Sequence, residues 1–207
     1  MARAYKYVDA GDAEYLMRGT LKIGTLRSYG ALESDRADPR EGRVDMHIRS
    51  MGFGKAATHP DANAIAKSMG MYFGPNVDVR FTNNTHGRRT PNYYCFCMSV
   101  IPNNLSLCRE KEQAIFEVTG IRSLIAVLAD LEPRLRGPAS FSRVTYKPTS
   151  GDVLDMWQQQ PSPFVKELRF ESEKEIRIIW MPTDRREPIE FITEPSARVA
   201  ALLRRVV

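Results

Sequence analysis

Two short segments of the chain are almost wholly apolar and rich in residues that favour β-structure. They are YYCFCMSV at 93–100 and IRIIWM at 176–181, and neither shows the regular alternation of a half-exposed strand. Such runs are typical of strands that are covered on both faces. We therefore expect each of them to form a buried strand, with 93–100 at the centre of a sheet.

The remaining chain predicts more strands than helices. The clearest helix covers 121–135, where Pro133 is expected to end or bend it. The polar segment THGRRTPN at 85–92 is predicted to be a mobile loop. Because strands and helices do not alternate regularly, we predict one α+β domain over 1–207, with a mixed or antiparallel sheet and short helices. Further strands are predicted at 5–8, 20–26, 44–48, 77–81, 114–118, 142–146 and 189–192.

Composition sets limits on the class of protein. The 207 residues are 43% hydrophobic and 27% charged, which is ordinary for a globular domain. The formal net charge of +5 permits an anionic partner but does not require one. No apolar run approaches the roughly 18 residues of a membrane span, and the first residues lack the apolar core of a signal peptide. We therefore expect a soluble cytoplasmic protein without a membrane partner.

The three cysteines predict neither disulfides nor a metal site. An odd number without a secretion signal argues against a disulfide framework. Cys95 and Cys97 are two residues apart, so in a strand they would share one side, and Cys108 stands alone. Zinc usually needs four ligands in paired motifs, and the histidines are scattered. We interpret the cysteines as buried packing residues and expect no metal.

The strongest candidate motif is FESEKEIRIIW at 170–180. Glu171, Glu173 and Glu175 are spaced by two residues, so extended backbone would place them on the same side. Like charges that close repel one another, although Arg177 continues the spacing and partly neutralises them. One interpretation is a solvated strand edge with a Glu–Arg pair. The other is a cleft in which a carboxylate stabilises an oxocarbenium-like centre.

A second cluster of charged and aromatic residues occupies the segment RSYGALESDRADPREG at 27–42. A clamp is one interpretation: arginine holds a phosphate and tyrosine stacks on a ring. The alternative is a loop whose charges pair with one another. The residues concerned are Arg27, Tyr29, Glu33, Arg36, Asp38, Arg40 and Glu41.

The first predicted strand and the end of the central strand carry further candidates. Arg3, Tyr5 and Tyr7 would lie on one side of the first strand and Lys6 on the other. A cation beside aromatic rings could seat a nucleotide, whereas the alternative is an ordinary edge strand. Ser99 ends the apolar run and offers a hydroxyl.

Two adjacent arginines precede the central strand. Arg88 and Arg89 are followed by Tyr93 and Tyr94, a combination that could contact nucleic acid through phosphates and stacked bases. A solvated loop is the alternative interpretation.

In their order, these pieces resemble a bacterial family of uncharacterised domains, which is distantly similar to the mono-ADP-ribosyltransferases. The order covers most of the chain, and no single piece is specific. The matching pieces are YKY at 5–7, LMRGTLKIGTL at 16–26, the loop with YGALE and DPREG at 29–42, CFCMS at 95–99, RVTY at 143–146 and EKEIR at 173–177.

The resemblance implies an ADP-ribosyltransferase-like fold and an enzyme that uses NAD as its substrate without a metal. Such an enzyme would pass ADP-ribose to a protein or nucleic-acid acceptor, or to water as an NAD glycohydrolase. Glu175 would be the key carboxylate, Glu173 its partner, and Ser99 would order the site. The implied setting is a bacterial toxin, phage-defence or counter-defence system. The residues expected to contact NAD are Arg3, Tyr5, Lys6, Tyr7, Arg27, Tyr29 and Arg177.

Two other classes of function remain open from the sequence. The first is a non-catalytic module that binds nucleic acid or a protein, suggested by the net charge and by Arg88 and Arg89. The second is a metal-dependent nuclease with Glu173, Glu175 and Asp38 as oxygen ligands. The enzyme hypothesis requires the first strand, the 27–42 segment and the glutamates to meet in space.

Overall fold

The computed structural model describes residues 3–30, 38–55, 57–74, 76–104, 113–184 and 186–206. Glu33, Arg36 and Cys108, which the sequence singled out, lie outside the described residues. Within these ranges the chain is an α+β domain with mixed, mostly antiparallel sheets and short helices, as predicted. Among the described helices, none is both long and apolar enough to cross a membrane.

The described strands and helices are mostly short. The strands are β1 (Ala4–Asp9), β2 (Lys22–Thr25), β3 (Arg43–Gly54), β4 (Asp78–Arg89), β5 (Tyr94–Ser99), β6 (Gln113–Val118), β7 (Ala139–Arg143), β8 (Thr145–Tyr146), β9 (Ser150–Asp152), β10 (Val165–Lys166), β11 (Glu175–Trp180), β12 (Phe191–Ile192) and β13 (Leu203–Arg205). The α-helices are α1 (Ala13–Met17), α2 (Leu26–Gly30), α3 (Ala62–Ser68), α4 (Ile121–Leu131), α5 (Val153–Met156) and α6 (Ala197–Ala200). In the described ranges, 3-10 segments cover Ala10–Asp12, Pro133–Leu135 and Leu168–Glu173.

Among the described residues, the main sheet has eight strands and is organised around β5. One edge of β5 pairs with β11 along all six residues, from Glu175 opposite Ser99 to Trp180 opposite Tyr94. The other edge is shared, because β2 pairs with Tyr94 and Cys95 while β1 pairs with Ser99. No described strand pairs with 96–98 on that edge. We call this place, where β1 and β2 separate along β5, the fork.

The core lies mainly on one face of the main sheet. Phe96, Ile178 and Trp180 project from that face and pack with Leu124 and Leu128 of α4. Burying a leucine or isoleucine side chain of this kind stabilises the fold by about 1.5–3 kcal/mol. Helix α4 ends at Leu131, and a 3-10 turn begins at Pro133, because proline has no N–H to continue the helix.

A smaller three-stranded sheet, in the order β4-β3-β9, carries a second core with α3 and α5. Here the sequence-based prediction of a loop over 85–92 is wrong for 85–89, since β4 continues to Arg89 opposite Arg43, and only 90–92 lie outside this strand. Its residues are polar because one face of the β3–β4 ribbon is exposed. The pairing joins distant segments, and local composition carries no signal of it.

Candidate functional site

The face of the main sheet opposite the large core carries buried charges. Arg177 of β11 lies opposite Cys97, and Glu175 lies opposite Ser99, so strand alternation sends these side chains to one side. Glu175 is only 6% exposed and Arg177 is 0% exposed. A solvated strand edge, one of the two interpretations of this motif, does not describe such burial. Buried charges persist only when they are paired.

Arg177 joins two carboxylates. Its Nε and Nη2 atoms donate to Glu175 Oε1 and Oε2 at 2.6 and 3.1 Å, in the two-point geometry that arginine makes with carboxylates. Its Nη2 also contacts the Glu41 carboxylate, and Nη1 donates to Pro163 O at 2.6 Å. The guanidinium therefore ties the segment before β3 to β11.

Lys166 of β10 binds Glu173 and also contacts Glu175, which it shares with Arg177. Its Nζ lies 2.7 Å from Glu173 Oε2 and 3.4 Å from Glu175 Oε2. Lys166 is not predicted as a site residue from the sequence, because the segment FVKELRF at 164–170 is ambiguous in its secondary structure. We call the set Glu41, Lys166, Glu173, Glu175 and Arg177 the ionic cluster.

The three glutamates do not share one side, contrary to the sequence-based prediction. Leu168–Glu173 is a 3-10 segment and Lys174 has a left-handed backbone with φ of 46°, so the chain is extended only from Glu175 onward. Glu171 therefore turns outward and pairs with Lys174 at 3.0 Å. This local turn brings Glu173 and Glu175 to the same ammonium.

Burial and ion pairing give the three carboxyl groups of the ionic cluster different pKa values. Burial alone would raise the pKa of Glu175, but Arg177 and Lys166 lower it to about 2. Burial raises the pKa of Glu41 to about 7, because it outweighs the attraction of Arg177. Burial also raises the pKa of Glu173 despite Lys166. Glu175 is thus a permanent anion near neutral pH, whereas Glu41 can exchange a proton.

Ser99 supports the backbone of the 3-10 segment. Its Oγ donates to Glu173 O at 2.9 Å and accepts from Ile101 N at 3.2 Å. Asn104, which the sequence did not single out, donates to Glu173 O and Ser172 O at 2.9 Å each. The Ser99 hydroxyl therefore helps to position Glu173 through the main chain.

A cavity of about 530 Å³ opens at the fork, within the range of small-molecule sites. Lys6 of β1 lines it, donates from Nζ to Cys97 O at 3.1 Å and lies 4.8 Å from the centre of the Phe96 ring. Tyr29 of α2 lines it beside Gly24. A Cβ at Gly24 would come within 2.6 Å of the Tyr29 ring, so the glycine makes room for that tyrosine. We call this space the fork cavity.

The fork cavity and the ionic cluster adjoin. Glu175 is not among the residues that line the cavity. Lys6 and Tyr29, which do line it, both interact electrostatically with Glu175. The structure thus places β1, the start and end of the 27–42 segment and two of the three glutamates in one region around Cys97. The residues that meet there are Lys6, Tyr29, Glu41, Glu173 and Glu175.

Other candidates lie apart from this region or have structural contacts. Arg3 lies 3.5 Å from Glu117, and Arg27 donates to Glu187 at 2.7 Å on the surface. Tyr5 is buried. Tyr7 lines the cavity, but its hydroxyl donates to Ile101 O at 2.6 Å.

The paired arginines of β4 have different environments. Arg88 Nη2 donates to Trp157 O at 3.0 Å and to Met156 O at 3.5 Å, and it also contacts Gln159 O. This guanidinium holds the turn after α5. Arg89 is exposed and is the one of the two that faces solvent.

We expect Arg88→Ala to lower the free energy of unfolding by about 1–2 kcal/mol, because three carbonyl groups lose a charged donor. Arg89→Ala is the matched control, with an expected change within about 0.5 kcal/mol. Chemical denaturation of both variants measures the difference. Equal effects would mean that the Arg88 contacts do not stabilise the fold.

The metal-ligand hypothesis groups residues that have other partners. Asp38 Oδ1 accepts from Arg40 N at 2.9 Å, whereas Glu173 and Glu175 bind Lys166. In the described ranges, no three His, Cys, Asp or Glu side chains are grouped so that they could hold a metal ion. Cys95 and Cys97 are free thiols on one side of β5, with their Sγ atoms 3.3 Å apart.

Comparison with known protein families, curated proteins and solved structures found no match for the chain.

Proposed function

We propose that the protein binds a nucleotide of the NAD class in the fork cavity and consumes NAD there, by ADP-ribosyl transfer or by hydrolysis. The observation that carries the proposal is the position of Lys6, which lines a nucleotide-sized cavity and donates to the carbonyl of Cys97, the residue that lies opposite Arg177 of the ionic cluster. In this proposal, Lys6 and Tyr29 contact NAD, whereas Arg3 and Arg27 do not.

In the proposed reaction, side chains of the cavity wall bind NAD, and a carboxylate of the ionic cluster stabilises the charge that develops on the ribose. An ammonium such as Lys6 attracts a diphosphate, and the ring of Tyr29 or Phe96 offers a surface for a base. Cleavage of the nicotinamide–ribose bond develops positive charge on the ribose, which a nearby anion stabilises. Glu175, whose pKa lies at about 2, supplies a constant negative charge beside the wall.

A second candidate is a binding module without catalysis, acting on a protein or nucleic-acid partner in a defence or counter-defence system. One observation favours it: both Glu175 oxygens are bonded to Arg177, and the side chain is buried. This is the arrangement of an ion pair that joins two parts of a fold. Binding of NAD without turnover would favour this candidate.

The test measures binding and turnover separately. Titration with NAD is expected to show about tenfold weaker binding for Lys6→Ala, since a charge-assisted contact to phosphate is lost. Lys67→Ala, an exposed lysine on α3, is the matched control and should bind as the wild type does. No binding of NAD to the wild type would reject the proposed function.

Turnover is followed as release of nicotinamide. We expect Glu175→Gln to lower the rate at least about tenfold, because the negative charge beside the ribose is removed. The folded state of the variant is checked by circular dichroism. A rate equal to that of the wild type would exclude Glu175 from the chemistry.

A further inference from the structure

Lys6 has an unusual environment for a lysine. Within the described part of the chain, its Nζ contacts are the Cys97 carbonyl at 3.1 Å and the Phe96 ring at 4.8 Å, and neither is a carboxylate. By contrast, Lys22 at the same cavity pairs with Glu190 at 3.2 Å. At the fork, no described strand pairs with Cys97 on the edge of β5 that faces β1 and β2. The Lys6 side chain therefore donates to the Cys97 carbonyl in place of a backbone N–H.

Burial lowers the pKa of Lys6 and outweighs the groups that face its amine. Those groups are the thiols of Cys95 and Cys97 on β5, Glu175 on β11 and Lys22 on β2. The two thiols and Glu175 raise the pKa of Lys6, although Glu175 is also paired with Arg177 and Lys166. Lys22 lowers the pKa of Lys6 further. Burial thus makes the neutral, nucleophilic form of the amine easier to reach, and Lys6 lines a cavity that a ligand can enter.

We propose that Lys6 is a nucleophilic amine that forms an imine with an aldehyde-bearing ligand in the fork cavity. The ligand class is an aldehyde attached to a ring, because Tyr15, Tyr29 and Phe96 line the same space and aromatic side chains favour flat partners. This inference uses the cavity but does not need NAD to bind there.

The reaction needs no oxidant or reductant. The Nζ lone pair attacks the carbonyl carbon, and a proton passes from nitrogen to oxygen to give a carbinolamine. The oxygen then takes a second proton and leaves as water while the carbon–nitrogen double bond forms. That second proton comes from solvent, so amine, aldehyde and one proton become water and a protonated imine, which holds the positive charge; release of the proton gives the neutral imine.

The test uses pyridoxal 5′-phosphate on the intact protein at pH 7. Borohydride supplies a hydride that converts the imine to a stable secondary amine, and peptide mass spectrometry locates it. We expect at least about fivefold more adduct on Lys6 than on Lys22, because burial favours the free amine of Lys6, whereas the Lys22 side chain is exposed and paired with Glu190. Adduct on Lys6 at or below the level of Lys22 would overturn the proposal.

Two variants test whether Lys6 reacts as a nucleophile or acts only through its positive charge. Lys6→Arg keeps a cation in the cavity and should abolish the adduct at this position. Lys22→Arg is the matched control and should leave the Lys6 adduct unchanged. If the Lys6 adduct disappears in Lys22→Arg, the reactivity at Lys6 depends on the Lys22 amine rather than on the surroundings of Lys6, and the proposal is rejected.

Addition of NAD distinguishes this inference from the proposed function. If NAD binds in the fork cavity, it should protect Lys6 from the aldehyde. Strong labelling of Lys6 that NAD does not reduce would support the imine chemistry and count against NAD as the ligand.

Discussion

Arg177→Ala is expected to lower the free energy of unfolding by about 3–5 kcal/mol, the cost of removing one partner from a buried ion pair. The variant would leave Glu175 without its two-point partner and Glu41 without its ion pair. It would also free the Pro163 carbonyl, which accepts from Nη1 at 2.6 Å. Denaturant titration measures the loss.

The matched control is Arg169→Ala. Arg169 also pairs with a glutamate, Glu167 at 3.4 Å, but its side chain is 59% exposed. Exposed pairs contribute about 0–1 kcal/mol, so the control should change little. If the two variants lost the same stability, the ionic cluster would not hold β11 to the 38–42 segment.

Wild-type protein should lose about 2–3 kcal/mol of stability relative to Glu41→Gln as the pH rises from about 4.5 to about 7. Burial raises the pKa of Glu41 from 4.5 to about 7 in the folded protein. Within this window the unfolded chain has released the proton that the folded chain still holds. The unfolded state binds fewer protons, so stability falls with rising pH.

The comparison with Glu41→Gln isolates this group. The amide keeps a similar shape but does not titrate, and other shifted groups such as Glu173 are present in both proteins. Glu175 acts in a different window, since its pKa of about 2 makes stability fall as the pH drops below about 4.5. Parallel pH profiles for the two proteins would contradict the role assigned to Glu41.

The strands around the site could be predicted because their signals are local. The apolar runs at 93–100 and 176–181 became β5 and β11, and α4 stops before Pro133. The shared side of Cys95 and Cys97 follows from strand alternation and is confirmed. The loop predicted at 85–92 failed over 85–89 because β4 is defined by its partner β3.

The sequence by itself determined that the chain is an α+β domain and that Glu175 and Arg177 lie on one side of a buried strand. It did so because strand alternation and apolar runs depend only on near neighbours. The tertiary structure alone decided that Lys166 and Glu41 complete the ionic cluster, and that β1 and β2 separate to leave a cavity beside Lys6. Those features depend on strand register and on contacts between segments far apart in the chain, and residue type does not specify either.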